Sequence, residues 1–150
     1  QRYLAKISGP LLDRIDMLII NEGEAKLLTG QRNLVIAAKT ILEMGPRVVI
    51  IKKGEHGALL FSEGSHFSAP GYPLETIKDP TGCGDSFAGA LIGYLANNDS
   101  NSEKDIRKAI VYGSVVASFN AEDFSLERLR RLSDAEIEKR YGEFKRIREF

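Results

Sequence analysis

Residues 17–51 read MLIINEGEAKLLTGQRNLVIAAKTILEMGPRVVII, and the two β-prone runs that bound this stretch, Met17-Leu-Ile-Ile20 and Val48-Val-Ile-Ile51, decide the fold class. A strand with one face in water alternates apolar and polar residues, whereas an unbroken apolar run suits a parallel strand covered on both faces. Both runs therefore read as central strands. Between them, Glu24 to Leu28 and Leu34 to Met44 carry helical patterns, the second with Val35, Ala38, Ile41 and Leu42 in helical spacing and Gly45-Pro46 as its stop. Strand, helix and strand make a right-handed βαβ unit, so the chain is α/β. Further along, Ala58 to Phe61 and Ser65 to Ala69 flank the turn dipeptide Glu63-Gly64. This hairpin extends the sheet antiparallel at its edge. After Pro80 the pattern is helical to the end, over Asp85 to Leu95, Glu103 to Phe119, Leu126 to Leu132 and Asp134 to Phe150.

The bulk numbers narrow the function. A chain of 150 residues with 43% hydrophobic content can bury one continuous core, so residues 1–150 are expected to form a single unit. Lys plus Arg (21) balance Asp plus Glu (21), which leaves no positive field for nucleic acid or an acidic membrane and points to a small-molecule partner. The one cysteine, Cys83, can form neither an internal disulfide nor a cysteine-based zinc site, as suits a reducing, cytoplasmic setting. No apolar run approaches the length of a membrane span and no signal-peptide pattern opens the chain, so a soluble protein is expected. The chain starts at Gln1 with a helical pattern already under way, and it is read as a fragment. The mixed charges of the last helix, from Glu136 to Arg148, surround Ile137, Tyr141, Phe144 and Ile147, which describes an amphipathic helix with a solvated outer face.

Ligands of open parallel sheets collect beyond the carboxyl ends of the strands. Here the first strand runs into Asn21-Glu22-Gly23-Glu24 and the second into Lys52-Lys53-Gly54-Glu55-His56-Gly57. Carboxylates, an amide and lysines at neighbouring strand ends suit a phosphate with its magnesium ion. Each loop alone also reads as an ordinary charged connection. The sharper signal is Asp79-Pro80-Thr81-Gly82-Cys83-Gly84-Asp85-Ser86, followed at once by the helical run from Phe87 to Leu95. Its glycines let successive backbone N–H groups aim at one point, and the helix dipole adds positive potential there, which makes an anion hole. Ala88, Gly89, Ala90 and Gly93 are small enough for this helix to press close to the sheet. A carboxylate at Asp85 would repel a bound anion unless it accepts a proton from an incoming hydroxyl, and phosphoryl transfer to an alcohol needs that pair of features. The plainer role for Asp85 is an acidic residue stabilising a helix N-terminus. Neither G-x-x-x-x-G-K-[ST] nor G-x-G-x-x-G is present, because Phe87 stands where the third glycine would be.

The stretch from Asp79 to Phe87 resembles the C-terminal signature of the PfkB, or ribokinase-like, carbohydrate kinases, which is close to D-T-x-G-A-G-D-x-F. Asn21-Glu22-Gly23-Glu24 is similar to that family's N-x-x-E element, and Lys52 to Gly57 to its nucleotide loop. The resemblance implies a ribokinase-type, Rossmann-like sandwich, a mostly parallel sheet with an antiparallel hairpin edge and flanking helices, of which this chain is the C-terminal half. It implies ATP and Mg2+, Asp85 as general base, and Gly82, Cys83 and Gly84 as the anion hole. It places Glu24 and Asn21 near Mg2+ through water, Lys52, Gly54 and Gly57 at the nucleotide phosphates, and Gly113 and Ser114 at the adenine pocket. Cys83 stands where alanine is usual, which keeps the backbone donor. Asp79 and Thr81 match positions that bind a monovalent cation in some members, while Phe124 replaces a frequent glycine, so a K+ site is left open. Family members are roughly twice this length, and the half absent here carries most acceptor contacts and the lid. The resemblance therefore implies an alcohol acceptor of sugar or nucleoside type, an isolated chain that is inactive as a kinase, and self-association through uncovered surface. Two rival readings remain. One is a non-catalytic nucleotide-binding module, which would not need Asp85; the other is a Cys83 nucleophile with His56 or His66 as base.

Overall fold

A computed structural model gives the structure of residues 11–149, which divide between Pro70 and Gly71 into two compact units. In the first, β1 (Met17–Asn21), β2 (Val48–Lys52), β3 (Ala58–Ser62) and β4 (Ser65–Ala69) form an open, mixed sheet in the order β1-β2-β3-β4. The β1–β2 pairing is parallel, Met17 opposite Val48 through Asn21 opposite Lys52, and the next two pairings are antiparallel. Val49, Ile50 and Ile51 of β2 are fully buried, as the unbroken apolar run requires. β1 reads as a central strand from its sequence but is an edge strand among the described residues, and Met17 to Ile20 are accordingly half-buried.

Two helices join β1 to β2. The first, α1 (Glu22–Thr29), starts on a reciprocal capping box and stops at Gly30 in the left-handed conformation; α2 (Leu34–Glu43) is capped by the Asn33 side chain. Ala25, Ala37, Ala38 and Ile41 lie against Val49, Ile51 and Phe61 in one core. Each large aliphatic side chain buried there contributes about 1.5–3 kcal/mol.

The second unit is helical. α3 (Cys83–Asn98) packs along α4 (Glu103–Asn120), and α5 (Asp134–Ile147) packs on α4. Within α3, Gly89 and Gly93 have open space where a Cβ would stand. The tight contact in this unit is at Gly113 of α4, where a Cβ would come within 2.7 Å of the Phe87 carbonyl oxygen. The helix expected over Leu126 to Leu132 is reduced to a single 3-10 turn at Leu129–Arg131. Leu126, Leu129 and Leu132 keep helical spacing, but seven residues are too few to sustain a helix nucleus by themselves, and Arg128 and Arg131 are drawn into ion pairs with Glu122, Glu136 and Asp123. No helix among the described residues is long and apolar enough to cross a membrane.

Candidate functional site

The N-terminus of α3 is built by its preceding loop. Asp79 Oδ1 accepts the Thr81 N–H at 2.9 Å and Oδ2 accepts the Ser125 N–H at 3.4 Å. The Thr81 hydroxyl first, then the Thr81 N–H and, more weakly, the Ser125 N–H hold the Asp79 carboxyl below its usual range. Gly82 then caps the helix at φ +82°, a conformation that side-chain-bearing L residues rarely adopt. The Cys83 N–H turns back to the Pro80 carbonyl at 3.2 Å, and the Ser86 N–H closes the first helical bond onto Gly82 at 2.8 Å. Gly84 and Asp85 lie between those two bonds. Their N–H groups have no hydrogen-bond partner among the described residues, and no side chain caps the helix. Two adjacent unspent donors at the positive end of a 16-residue helix are free to receive an anion.

Asp85 is exposed on this first turn, and its carboxylate has no hydrogen bond among the described residues. It is thus available to a ligand rather than consumed in capping. The expected backbone cradle of Gly82, Cys83 and Gly84 is modified in one respect: the Cys83 N–H is already bonded, so the open donors among the described residues are those of Gly82, Gly84 and Asp85. The half-buried Cys83 thiol receives a contact from Asn120 Nδ2 at 3.5 Å. Asn120, fully buried at the end of α4, also donates to the Thr81 carbonyl and accepts from Ser86 Oγ. Sequence reading passes over this residue, although an asparagine closing an otherwise apolar helical run is a visible signal.

Gly113 and Ser114 are buried within the helix pair. Gly113 makes room for Phe87, and the Ser114 hydroxyl donates to the Ile110 carbonyl of its own helix at 3.0 Å. Neither turns a side-chain polar group towards a ligand. Phe124 is 62% exposed, next to Ser125.

In the first unit, parallel register sets Asn21 beside Lys52 at the carboxyl ends of β1 and β2. Asn21 Oδ1 accepts the Glu24 N–H at 2.8 Å while Glu24 Oε2 accepts the Asn21 N–H at 2.7 Å. Glu24 is exposed, and its second oxygen has no hydrogen-bond partner among the described residues. Lys52 is half-buried and makes no ion pair among those residues. Beyond it, the Lys53 N–H bonds the Gly57 carbonyl at 2.7 Å across the short turn Gly54–His56, which brings the chain round into β3. Among the described residues no three His, Cys, Asp or Glu side chains converge to hold a metal directly. A single carboxylate oxygen fixed at a strand end fits magnesium, which keeps several waters and leans on substrate phosphates.

The family model described as pfkB family carbohydrate kinase matches residues 6–128. Cytidine kinase of Thermococcus kodakarensis is 39% identical over 87 residues, covering 56% of this chain and 31% of that protein. Ribokinase of Mus musculus is 38% identical over 96 residues, 59% of this chain and 29% of that protein. Among solved structures, a putative ribokinase II from E. coli in complex with ATP and Mg2+ superposes with a TM-score of 0.76 at 26% identity, over 95% of this chain and 44% of that one. Aminoimidazole riboside kinase from Salmonella enterica, complexed with aminoimidazole riboside and an ATP analogue, gives 0.82 at 19% identity, over 92% and 46%. That likeness is one of fold. The chain spans about a third or less of the curated relatives and under half of the solved chains.

Proposed function

The chain belongs to the pfkB family of carbohydrate kinases, and from that premise we propose that it supplies the ATP-binding and catalytic half of an enzyme phosphorylating a hydroxyl of a sugar or nucleoside. The observation that carries the reading is the pairing, on one helical turn, of two open N–H donors with an unpartnered carboxylate, at Gly84 and Asp85. Donors of this kind stabilise charge on a transferring phosphoryl group, since they are preorganised and need no rearrangement as the charge develops. Asp85 takes the acceptor's proton as the acceptor oxygen bonds the terminal phosphorus of ATP, and the bond from that phosphorus to the bridging oxygen breaks, its electron pair leaving with ADP. The carboxylate is neutralised in that step, which removes the repulsion it would otherwise exert on the anion beside it.

Lys52 neutralises nucleotide phosphate oxygens, and the turn through Gly54 and Gly57 lies against them. Asn21 and Glu24 would hold Mg2+ through water, with the capping box fixing the Glu24 carboxylate in place. The ion, when bound, would neutralise phosphate charge. Gly113 and Ser114 are not assigned a nucleotide contact, because both are spent in packing. The Asp79 carboxylate accepts from both the Thr81 and the Ser125 N–H, which leaves a monovalent cation as an optional addition to that loop. The names of the relatives support the acceptor class, since ribokinase, fructokinase and cytidine kinase are named for two sugars and a nucleoside.

The test is to incubate the full-length protein with Mg-ATP and a panel of pentoses, hexoses and nucleosides, measuring ADP. Acceptor-dependent ADP formation with at least one of them is the expected result. A rate of ATP turnover that no hydroxyl acceptor raises would overturn the reading.

A further inference from the structure

The side chain of Asn120 has no accessible surface, in a stretch of α4 whose other buried side chains include Val115 and Phe119. Burying an amide is costly unless its donor and acceptor are both satisfied. Here every partner lies on the loop and first turn that build the anion site. Nδ2 donates to the Thr81 carbonyl at 2.8 Å and reaches Cys83 Sγ at 3.5 Å, while Oδ1 accepts from Ser86 Oγ at 3.3 Å. The amide also lies close to Gly82, where a Cβ would sit 3.6 Å from Nδ2 and 3.8 Å from Oδ1. These contacts fall on both sides of Gly84 and Asp85 in the chain.

We propose that Asn120 is a positioning residue for the anion site, a role that rests on the reading of the Gly84 and Asp85 N–H groups as phosphoryl-binding donors. Pinning the Thr81 carbonyl fixes the peptide plane before Gly82, and pinning Ser86 fixes the helical turn after it. The left-handed bend at Gly82, and with it the direction of the next two N–H groups, is thereby held from a neighbouring helix. The amide is polarised in one sense, since a flip would set Oδ1 against the Thr81 carbonyl oxygen. An apolar residue could fill the same space but could not set that direction.

The experiment compares kcat, KM for ATP and melting temperature of full-length Asn120→Leu and Asn120→Asp with wild type, Asp85→Asn and Gly84→Val. Leucine has similar bulk with neither donor nor acceptor; aspartate keeps the shape and replaces the donor. Misplacement of a reacting group on the ångström scale costs up to about 100-fold, so both Asn120 variants are expected to lose about 10- to 100-fold in kcat per folded protein. KM for ATP should stay within about threefold, because the loss falls on a transition-state interaction. A role confined to folding would lower the yield or melting temperature and leave kcat per folded protein unchanged. If leucine prevents folding, the isosteric aspartate decides. Normal kcat in a folded Asn120 variant, with Asp85→Asn inactive, would overturn the positioning role and leave the anion site standing. Activity in both Asp85→Asn and Gly84→Val would overturn the site itself, and the positioning role with it.

Discussion

Two glycines two positions apart do different work. Gly82 adopts φ +82°, so any side chain there is strained by about 1–3 kcal/mol before it touches anything. Gly84 lies inside the first turn of α3 and is absent from the left-handed positions of the chain. A valine at Gly84 is conformationally allowed, and relative to glycine it does not lower helix propensity. The expected contrast is that Gly82→Val lowers both melting temperature and activity, whereas Gly84→Val melts close to wild type. The second variant should still lose on the order of 100-fold in kcat at saturating ATP, the usual cost of one blocked oxyanion donor. Full activity in Gly84→Val would place the anion site elsewhere.

At the scale of elements, α5 is fastened to α4 by charges as well as by apolar packing. Arg140 lies over the Phe119 ring at 3.5 Å, bonds Ser118 Oγ and pairs with Glu122, while Tyr72 donates to Glu143 at 2.7 Å and Phe144 is buried. Glu136 closes the capping box on Ser133 and also pairs with Arg128. Its carboxyl is held down at about 2, first by the Ser133 hydrogen bonds and then by Arg128. A folded-state value below the usual 4.5 means that this stabilisation is complete above about pH 5 and is lost as pH falls towards 2. Glu136→Gln should therefore flatten the acid limb of stability over that interval, read as melting temperature against pH. An unchanged acid limb would contradict the role. The charges of α5 look solvated in the sequence because periodicity identifies Phe144 as inward-facing but does not tell an arginine at the surface from one laid across an aromatic ring. The strands and α3 were legible for the opposite reason: unbroken apolar runs and a glycine-flanked helix start are local signals. Asn120 stands out in the sequence as a polar end to an apolar run, but its partners at Thr81, Cys83 and Ser86 were not legible, since they are distant in sequence. The edge position of β1 likewise depends on pairing, which its apolar run does not report.

For the whole molecule, the account divides labour between this chain and the acceptor-binding portion that longer relatives carry. Chemistry requires both substrates held in line, and loss of that positioning forfeits up to about 7–11 kcal/mol of barrier reduction. Residues 1–150 alone should thus form no phosphorylated product from Mg-ATP and any sugar or nucleoside in the panel. The same chain should self-associate on sedimentation, because β1 offers an unpaired edge among the described residues and Leu27, Val35 and Ile36 are each about half exposed. Robust phosphorylation by the isolated chain would show that the acceptor site lies within it. The claim on which all of this depends is that Asp85 takes the proton of the attacking hydroxyl. The most direct measurement is kcat of Asp85→Asn in the full-length protein, with the Kd for ATP measured in parallel. The account predicts a fall of at least ~100-fold in kcat with ATP binding nearly unchanged, as for the loss of a general base. An asparagine variant turning over at close to the wild-type rate would contradict it.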